Sequence, residues 1–394
     1  MHVRQSHGQT KPAAVGAALC VAMLLVSLVG AFAFAPRARA QSATLPDVPT
    51  VTAKAVFSID VSANVVLMAK NADEELPPAS TTKIVTALVV VTNVNLNGPI
   101  TINPADTVQD GESAMNVQAG DILTVDQLLY GMMLPSGNDA ARSLARYVGG
   151  VLLQKEGGSG DPIARFVQAM NDEVASLGLK HTHFTNPDGL EEKGLYSSAR
   201  DLASLATVLL QNEELAKIVA TPSIDITSQT GATYNLVNTN EMLTDGTEGV
   251  RGVKTGGTSE AGACLVLATW NKGENHIITV VLGSGIAYDA SGYVVQGSDK
   301  RYDDAKAILT AIDNSYDWLD PNVTGLSDEL AAWQVSLSNK AKVVVRKSQE
   351  QPLRYLLQLG PAGKANAQVG QVLFFVGSEQ VAARPVVQLK TSGS

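Results

Sequence analysis

The chain has 394 residues, 45% of them hydrophobic, 17% charged and 5% aromatic, with a formal net charge of −9 at pH 7. That apolar content supplies a large core, so disorder is not the default reading, and the length makes two domains after processing a reasonable prior. An acidic balance without a basic stripe argues against nucleic-acid binding.

His2, Arg4, His7 and Lys11 open the chain, residues 13–35 carry no charge, and Ala38-Arg39-Ala40 places small residues where a signal peptidase reads. Residues 1–40 are therefore expected to be an export leader cut after Ala40. The uncharged stretch is longer than a usual signal core, so an uncleaved membrane anchor is the alternative. In both cases the remainder works outside the cytoplasm, in the cell envelope or secreted. Of the two cysteines, Cys20 lies in the leader, preceded by the bulky Leu19 rather than the small residue a lipidation site wants. Cys264, in the apolar run 263–268, reads as a small buried hydrophobe, so no internal disulfide is expected after processing.

Residues 55–60 and 65–70 are β-rich and read as a hairpin. Pro77-Pro78 breaks the chain, and residues 79–93 form a helix buried on most sides. Helices are expected over 126–133 and 138–148, then a Gly-rich loop over 149–161. Further helices follow over 162–178 and 198–211. Three strands, 249–255, 263–270 and 276–283, come next, with Asn271-Lys272-Gly273 as a hairpin turn, and a helix over 306–319 closes this region. After Pro321-Asn322, short alternating segments punctuated by Gly360, Gly363, Gly370 and Gly377 read as a small all-β domain. The expected class is α+β. An antiparallel sheet, built from both ends of residues 41–320 and flanked by helices with a helical insertion, precedes a β domain over 321–394.

Three short stretches carry chemistry. In Ser80-Thr81-Thr82-Lys83, residues three apart share a helix face, so Ser80 Oγ and Lys83 Nζ can meet. A serine hydroxyl needs a base to become a nucleophile, and a lysine serves only if its ammonium is disfavoured by burial or a neighbouring cation. Among all lysines, Lys83 is the only one with a serine three residues before it. In Ser136-Gly137-Asn138, a hydroxyl and an amide sit in a turn before a helix. Ser136 can relay a proton and Asn138 can hold a substrate carbonyl, although a helix cap also fits. In Lys254-Thr255-Gly256, at a strand end, a permanent cation and a hydroxyl can bind a carboxylate while Gly256 admits a substrate backbone. An ordinary strand end with a Gly turn fits as well. In this order the three form the set known from β-lactamases and penicillin-binding proteins.

The chain resembles the low-molecular-mass penicillin-binding proteins of the D-alanyl-D-alanine carboxypeptidase type. The resemblance extends from Pro77-Pro78-Ala79-Ser80-Thr81-Thr82-Lys83-Ile84 and Met133-Leu134-Pro135-Ser136-Gly137-Asn138-Asp139-Ala140-Ala141 to Phe184-Thr185-Asn186-Pro187-Asp188-Gly189-Leu190 and Tyr196-Ser197-Ser198-Ala199-Arg200-Asp201-Leu202-Ala203. It implies a β-lactamase/transpeptidase-like fold and a serine peptidase that removes terminal D-alanine from peptidoglycan stem peptides. It implies Ser80 as the acylated residue, Lys83 as its base, and Ser136 and Asn138 as proton relay and amide ligand. Lys254 and Thr255 would hold the carboxylate, with Arg301 assisting, and the N–H groups of Ser80 and Gly257 would form an oxyanion hole. β-Lactams would be covalent inhibitors, and no cofactor is implied. Departures are Gly257, where many relatives have histidine, Arg251, where an acid is expected, an insertion over 284–297, and no amphipathic anchor pattern at the tail.

Competing readings are a DD-endopeptidase with the same site, a class A β-lactamase, and a silent wall-binding or β-lactam-sensing protein. The β-lactamase lacks its Glu-x-x-Leu-Asn loop between Asn138 and Lys254. The five histidines give no Ser–His–Asp triad, no Gly-x-Ser-x-Gly elbow is present, and His181-Thr182-His183 lacks the glutamate of a metal motif. Asp188 reads as a turn residue.

Overall fold

The computed structural model describes residues 45–108, 111–272, 275–291, 294–347 and 351–389. The leader with its cleavage site after Ala40, Cys20 and the turn residue Gly273 lie outside them. The central sheet has five antiparallel strands: β1 (Ala55–Asp60), β2 (Val65–Lys70), β3 (Val250–Thr258), β4 (Gly262–Lys272) and β5 (Asn275–Ser284). Their spatial order is β2-β1-β5-β4-β3, so the N-terminal hairpin joins the three late strands across the whole helical segment.

Side chains of a strand alternate between the two faces of its sheet, and here both faces are covered. On β4, Cys264, Val266 and Ala268 enter the larger core, while Leu265 and Leu267 enter a second core on the other side. The larger core is filled by helices α1 (Lys83–Asn93), α2 (Val125–Met133), α3 (Asn138–Lys155), α4 (Pro162–Ser176) and α5 (Ala199–Gln211). Helix α6 (Arg301–Ser315) covers the second face through Tyr302, Ala305, Ile308 and Ile312. Helix α1 is rich in β-branched residues that weaken an isolated helix. It holds because Ile84, Val85, Ala87, Leu88, Val89 and Val90 are all buried, each large side chain contributing about 1.5–3 kcal/mol.

Polar groups set where the helices begin. Thr124 and Gln127 form a reciprocal capping box at α2. Asp161 caps α4, and Ser198 caps α5 by accepting from Asp201 N.

Beyond α6, strands β6 (Tyr316–Leu319), β7 (Val335–Leu337), β8 (Val343–Arg346), β9 (Leu353–Leu359), β10 (Gln368–Val376) and β11 (Glu379–Gln388) form two further sheets. One is the pair β6-β8 and the other has the order β7-β11-β10-β9. Phe374, Val372, Val343 and Val386 centre a separate core there. The fold class is therefore α+β with an additional all-β C-terminal region.

Two local expectations are corrected. Helix α3 does not stop at residue 148 but runs to Lys155 through Gly149 and Gly150. Gly149 is a crossing point, because a Cβ placed there would lie 1.8 Å from Pro162 O at the start of α4. The helix expected over 306–319 ends at Ser315, and residues 316–319 become strand β6. Tyr316 OH donates to Leu67 O at 3.0 Å and Trp318 Nε1 donates to Asp60 Oδ2 at 2.9 Å. Asp60 is buried yet compensated, since it also accepts from Ala63 N and Asn275 Nδ2. Asn275, the first residue of the middle strand β5, in turn accepts from Lys342 N at 2.7 Å, which ties the C-terminal strands to one end of the central sheet.

Gly149→Ala should force the α3–α4 crossing apart and cost about 1–3 kcal/mol. A lowered urea midpoint with native far-UV dichroism is the expected result, whereas an unchanged midpoint would show that the crossing tolerates a side chain.

Candidate active site

Ser80 lies in a 3-10 turn, Ala79–Thr82, that leads directly into α1, whose first residue is Lys83. The Lys83 side chain is fully buried. Its Nζ lies 2.9 Å from Ser80 Oγ, 2.8 Å from Asn138 Oδ1 and 2.7 Å from Asp188 O. The last contact depends on Gly189, because a Cβ there would lie 2.0 Å from Ala79 O. Without that side chain, the loop of residues 186–190 presses onto the turn that carries the serine. The loop is pinned by Thr86 Oγ1 donating to Pro187 O and by Gly189 N donating to Asn186 Oδ1.

Burial removes water from the Lys83 ammonium and lowers its pKa to about 8. The Asp188 carboxylate opposes that shift and the Arg142 guanidinium assists it, while Asp139 and Glu112 oppose it more weakly. A neutral amine has two N–H bonds and one lone pair. With Asn138 Oδ1 and Asp188 O taking the two N–H bonds, the lone pair is left for the Ser80 hydroxyl.

The second stretch forms the opposite wall. Ser136 adopts φ +66°, and its buried hydroxyl has no hydrogen-bond partner among the described residues. Asn138 opens α3 and turns its Nδ2 toward Glu112 Oε2 at 3.3 Å. The neighbouring Asp139 is buried and accepts from Met115 N at 2.9 Å and Val117 N at 3.1 Å, so the loop above the cleft is anchored to the helix.

The third stretch lies on β3. Gly256 pairs with Cys264 on β4, and a Cβ on Gly256 would lie 2.9 Å from Ser80 N. The strand backbone therefore runs against the serine amide. Lys254 is buried, and its Nζ donates to Thr255 O at 3.0 Å. Burial pushes its pKa well below the usual lysine range, and the charges of Lys83 and Arg301 push it further. Thr255 Oγ1 lies 2.5 Å from Thr239 Oγ1.

Arg301 is a buried clamp. Its Nη1 donates to Gly256 O at 2.8 Å and Cys264 O at 3.0 Å, and its Nε pairs with Asp299. Gly257 leaves a space that other groups border: the position of its missing Cβ is 3.0 Å from Tyr288 OH and 3.3 Å from Arg301 Nη2. Tyr288 comes from the segment 284–297 read as an insertion.

These walls enclose a cleft of about 250 Å³ lined by Ser80, Glu112, Asn138, Glu191, Gly257 and Tyr288 among others. A larger hollow near Leu326, Leu330 and Val335 in the C-terminal region is mainly apolar and lies away from these groups. Among the described residues, no three His, Cys, Asp or Glu side chains gather as metal ligands, and no helix is long and apolar enough to cross a membrane.

The structure thus brings Ser80, Lys83, Asn138, Gly256 and Gly257 to one place, with Arg301 immediately behind. Sequence reasoning missed Glu112, Arg142, Thr239 and Tyr288. None belongs to a short motif, and only the spacing of Asn138 and Arg142 on successive turns of α3 hinted at one of them. Arg142 pairs with Glu112, and its Nε lies 3.0 Å from Asp188 Oδ2.

Comparison with known proteins identifies the family. Residues 40–285 match the peptidase family described as D-alanyl-D-alanine carboxypeptidase. The chain is 35% identical over 254 residues to D-alanyl-D-alanine carboxypeptidase DacF of Bacillus subtilis (strain 168), covering 63% of this chain and 61% of that protein. It therefore spans less than two thirds of that relative's length. It is 35% identical over 274 residues to the D-alanyl-D-alanine carboxypeptidase of Streptomyces sp. (strain K15), covering 66% of this chain and 91% of that one. Among solved structures, the Streptomyces K15 DD-transpeptidase superposes with a TM-score of 0.58 at 34% identity, covering 68% of this chain and 99% of that one. Penicillin binding protein 6B from Escherichia coli gives 0.64 at 27% identity, covering 88% and 98%. With more than half of its length matched by the family, and with both early strands and all three motif segments inside the matched range, the chain belongs to the D-alanyl-D-alanine carboxypeptidase family.

Proposed function

We propose that this protein is a serine-type D-Ala-D-Ala carboxypeptidase that trims peptidoglycan stem pentapeptides through an acyl-enzyme on Ser80. The observation that carries the reading is the fully buried Lys83 amine, its pKa near 8, lying 2.9 Å from the Ser80 hydroxyl at one wall of a cleft. Neutral Lys83 takes the Ser80 proton as Oγ attacks the penultimate carbonyl. The developing oxyanion is held by the N–H groups of Ser80 and Gly257. Asn138 Nδ2 binds the substrate amide, and the unpartnered Ser136 hydroxyl passes a proton to the departing D-alanine nitrogen. The terminal carboxylate docks toward Lys254, Thr255 and Arg301, and water then hydrolyses the ester. β-Lactams acylate the same serine and are released slowly.

In this reading residues 1–40 export the chain to the cell envelope or medium. Residues 41–320 form the catalytic domain, and residues 321–394 form a β domain without a catalytic part. A second reading has one specific support: the Streptomyces neighbour is a DD-transpeptidase. The same acyl-enzyme passed to an amine rather than to water would make this chain one too. Mass spectrometry of a D-Ala-D-Ala peptide digest, with and without an added amine, separates trimming from transfer.

Ser80→Ala should lower D-alanine release about 10⁴- to 10⁶-fold and abolish covalent labelling by a fluorescent penicillin; retained labelling would remove Ser80 from its role. Because the base acts only when unprotonated, acylation by a β-lactam should rise with pH through about 8 and level off above it. Acylation that is already maximal at pH 6 would show that Lys83 is not the titrating base.

A further inference from the structure

Two arms run from one guanidinium to the two acceptors of the Lys83 amine. In the first, Arg142 Nη2 pairs with Glu112 Oε2, and that same oxygen lies 3.3 Å from Asn138 Nδ2. An amide that offers its nitrogen to Glu112 must present its oxygen on the other side, and Asn138 Oδ1 is 2.8 Å from Lys83 Nζ. In the second, Arg142 Nε donates to Asp188 Oδ2 at 3.0 Å, Asp188 Oδ1 accepts from Leu190 N, and the carbonyl of Asp188 is 2.7 Å from Lys83 Nζ. Arg142 stands one helical turn after Asn138 on α3, so it faces the same side. Its side chain is 20% exposed and that of Asp188 only 5%, so water screens the pair weakly.

We propose that Arg142 is a positioning residue of this site: its guanidinium holds Glu112 and Asp188 together and thereby fixes both acceptors that aim the Lys83 amine at Ser80. The inference rests on the acyl-enzyme reading above. A planar fork that engages two carboxylates at once is a task for arginine that lysine does not reproduce.

The same arrangement has an electrostatic consequence. The charged groups that face the amine are Asp188 and Glu112 from the two loops, Asp139 and Arg142 from α3, and Lys254 from β3. Carboxylates favour the ammonium and the two cations disfavour it. Removing the guanidinium leaves Glu112 and Asp188 uncompensated, and the amine then keeps its proton to higher pH. Removing the Asp188 carboxylate alone acts in the opposite direction, since the main-chain carbonyl that touches Lys83 remains.

The test is the pH profile of fluorescent-penicillin acylation, measured in the full chain between pH 6 and 10 for wild type, R142Q, R142K, D188N and R142Q/D188N. In R142Q the rising limb should move up by about one pH unit, making acylation at pH 7 about tenfold slower while the alkaline plateau falls less. R142K keeps the charge but not the fork, so it should keep the limb and lower the plateau. D188N should move the limb down, and the double variant should lie between the two single ones. A lowered plateau in R142Q with an unmoved limb would reduce Arg142 to a structural prop and overturn the proposal. If R142Q does not fold, R142K decides, and an unchanged plateau there overturns it equally. Loss of Ser80-dependent labelling in the wild type would instead count against the acyl-enzyme reading itself.

Discussion

An amine sealed from water beside a hydroxyl is the constraint around which this molecule is arranged. Transferring an ammonium into a protein interior costs several kcal/mol unless it is paired, and Lys83 has no direct carboxylate partner among the described residues. Its three contacts are an amide oxygen, a carbonyl and the hydroxyl itself, which suit a neutral amine with a lone pair to spare. Each contact comes from a different part of the chain, so the amine is held only when all three parts are packed together.

That packing requirement explains features that otherwise look unrelated. Gly189 lets the 186–190 loop touch the turn carrying Ser80, and Gly256 lets strand β3 run beside the serine amide. In both places a single Cβ would push the walls apart. Behind them, α1 is gripped by apolar side chains on nearly every face, so the helix that presents Lys83, and with it the preceding turn that carries Ser80, has little freedom to rotate. The sheet, covered on both sides, supplies a rigid third wall.

The β3 side of the cleft carries a second electrostatic theme. Lys254 and Arg301 are both buried, and both act on the same region as Lys83. Arg301 is stabilised by Asp299 and by two strand carbonyls. Among the described residues Lys254 hydrogen-bonds to Thr255 O alone, and its ammonium is the more disfavoured for it. An anionic substrate group entering here would relieve that repulsion, which gives the proposed carboxylate site a physical basis beyond the identity of its residues. The segment 284–297, with Tyr288 beside Gly257, shapes the same wall with a phenol rather than with a side chain from the strand.

Much of this was legible in the chain itself. The hairpin over residues 55–60 and 65–70, the three late strands and the helices near 125–133 and 199–211 follow from local periodicity and capping residues, which act between neighbours in sequence. The pairing of Ser80 with Lys83 followed from helical spacing for the same reason. Local pattern failed where a distant contact decided the outcome. Gly149 reads as a loop residue until the backbone of α4 is laid across it, and Tyr316 and Trp318 read as helical until Leu67 and Asp60 offer them partners. The burial of Lys254, the Arg142 network and the role of the Asp188 carbonyl were likewise decided by tertiary structure alone. Burial and electrostatic neighbours are properties of a place in space, and residues far apart in the chain become neighbours only after folding.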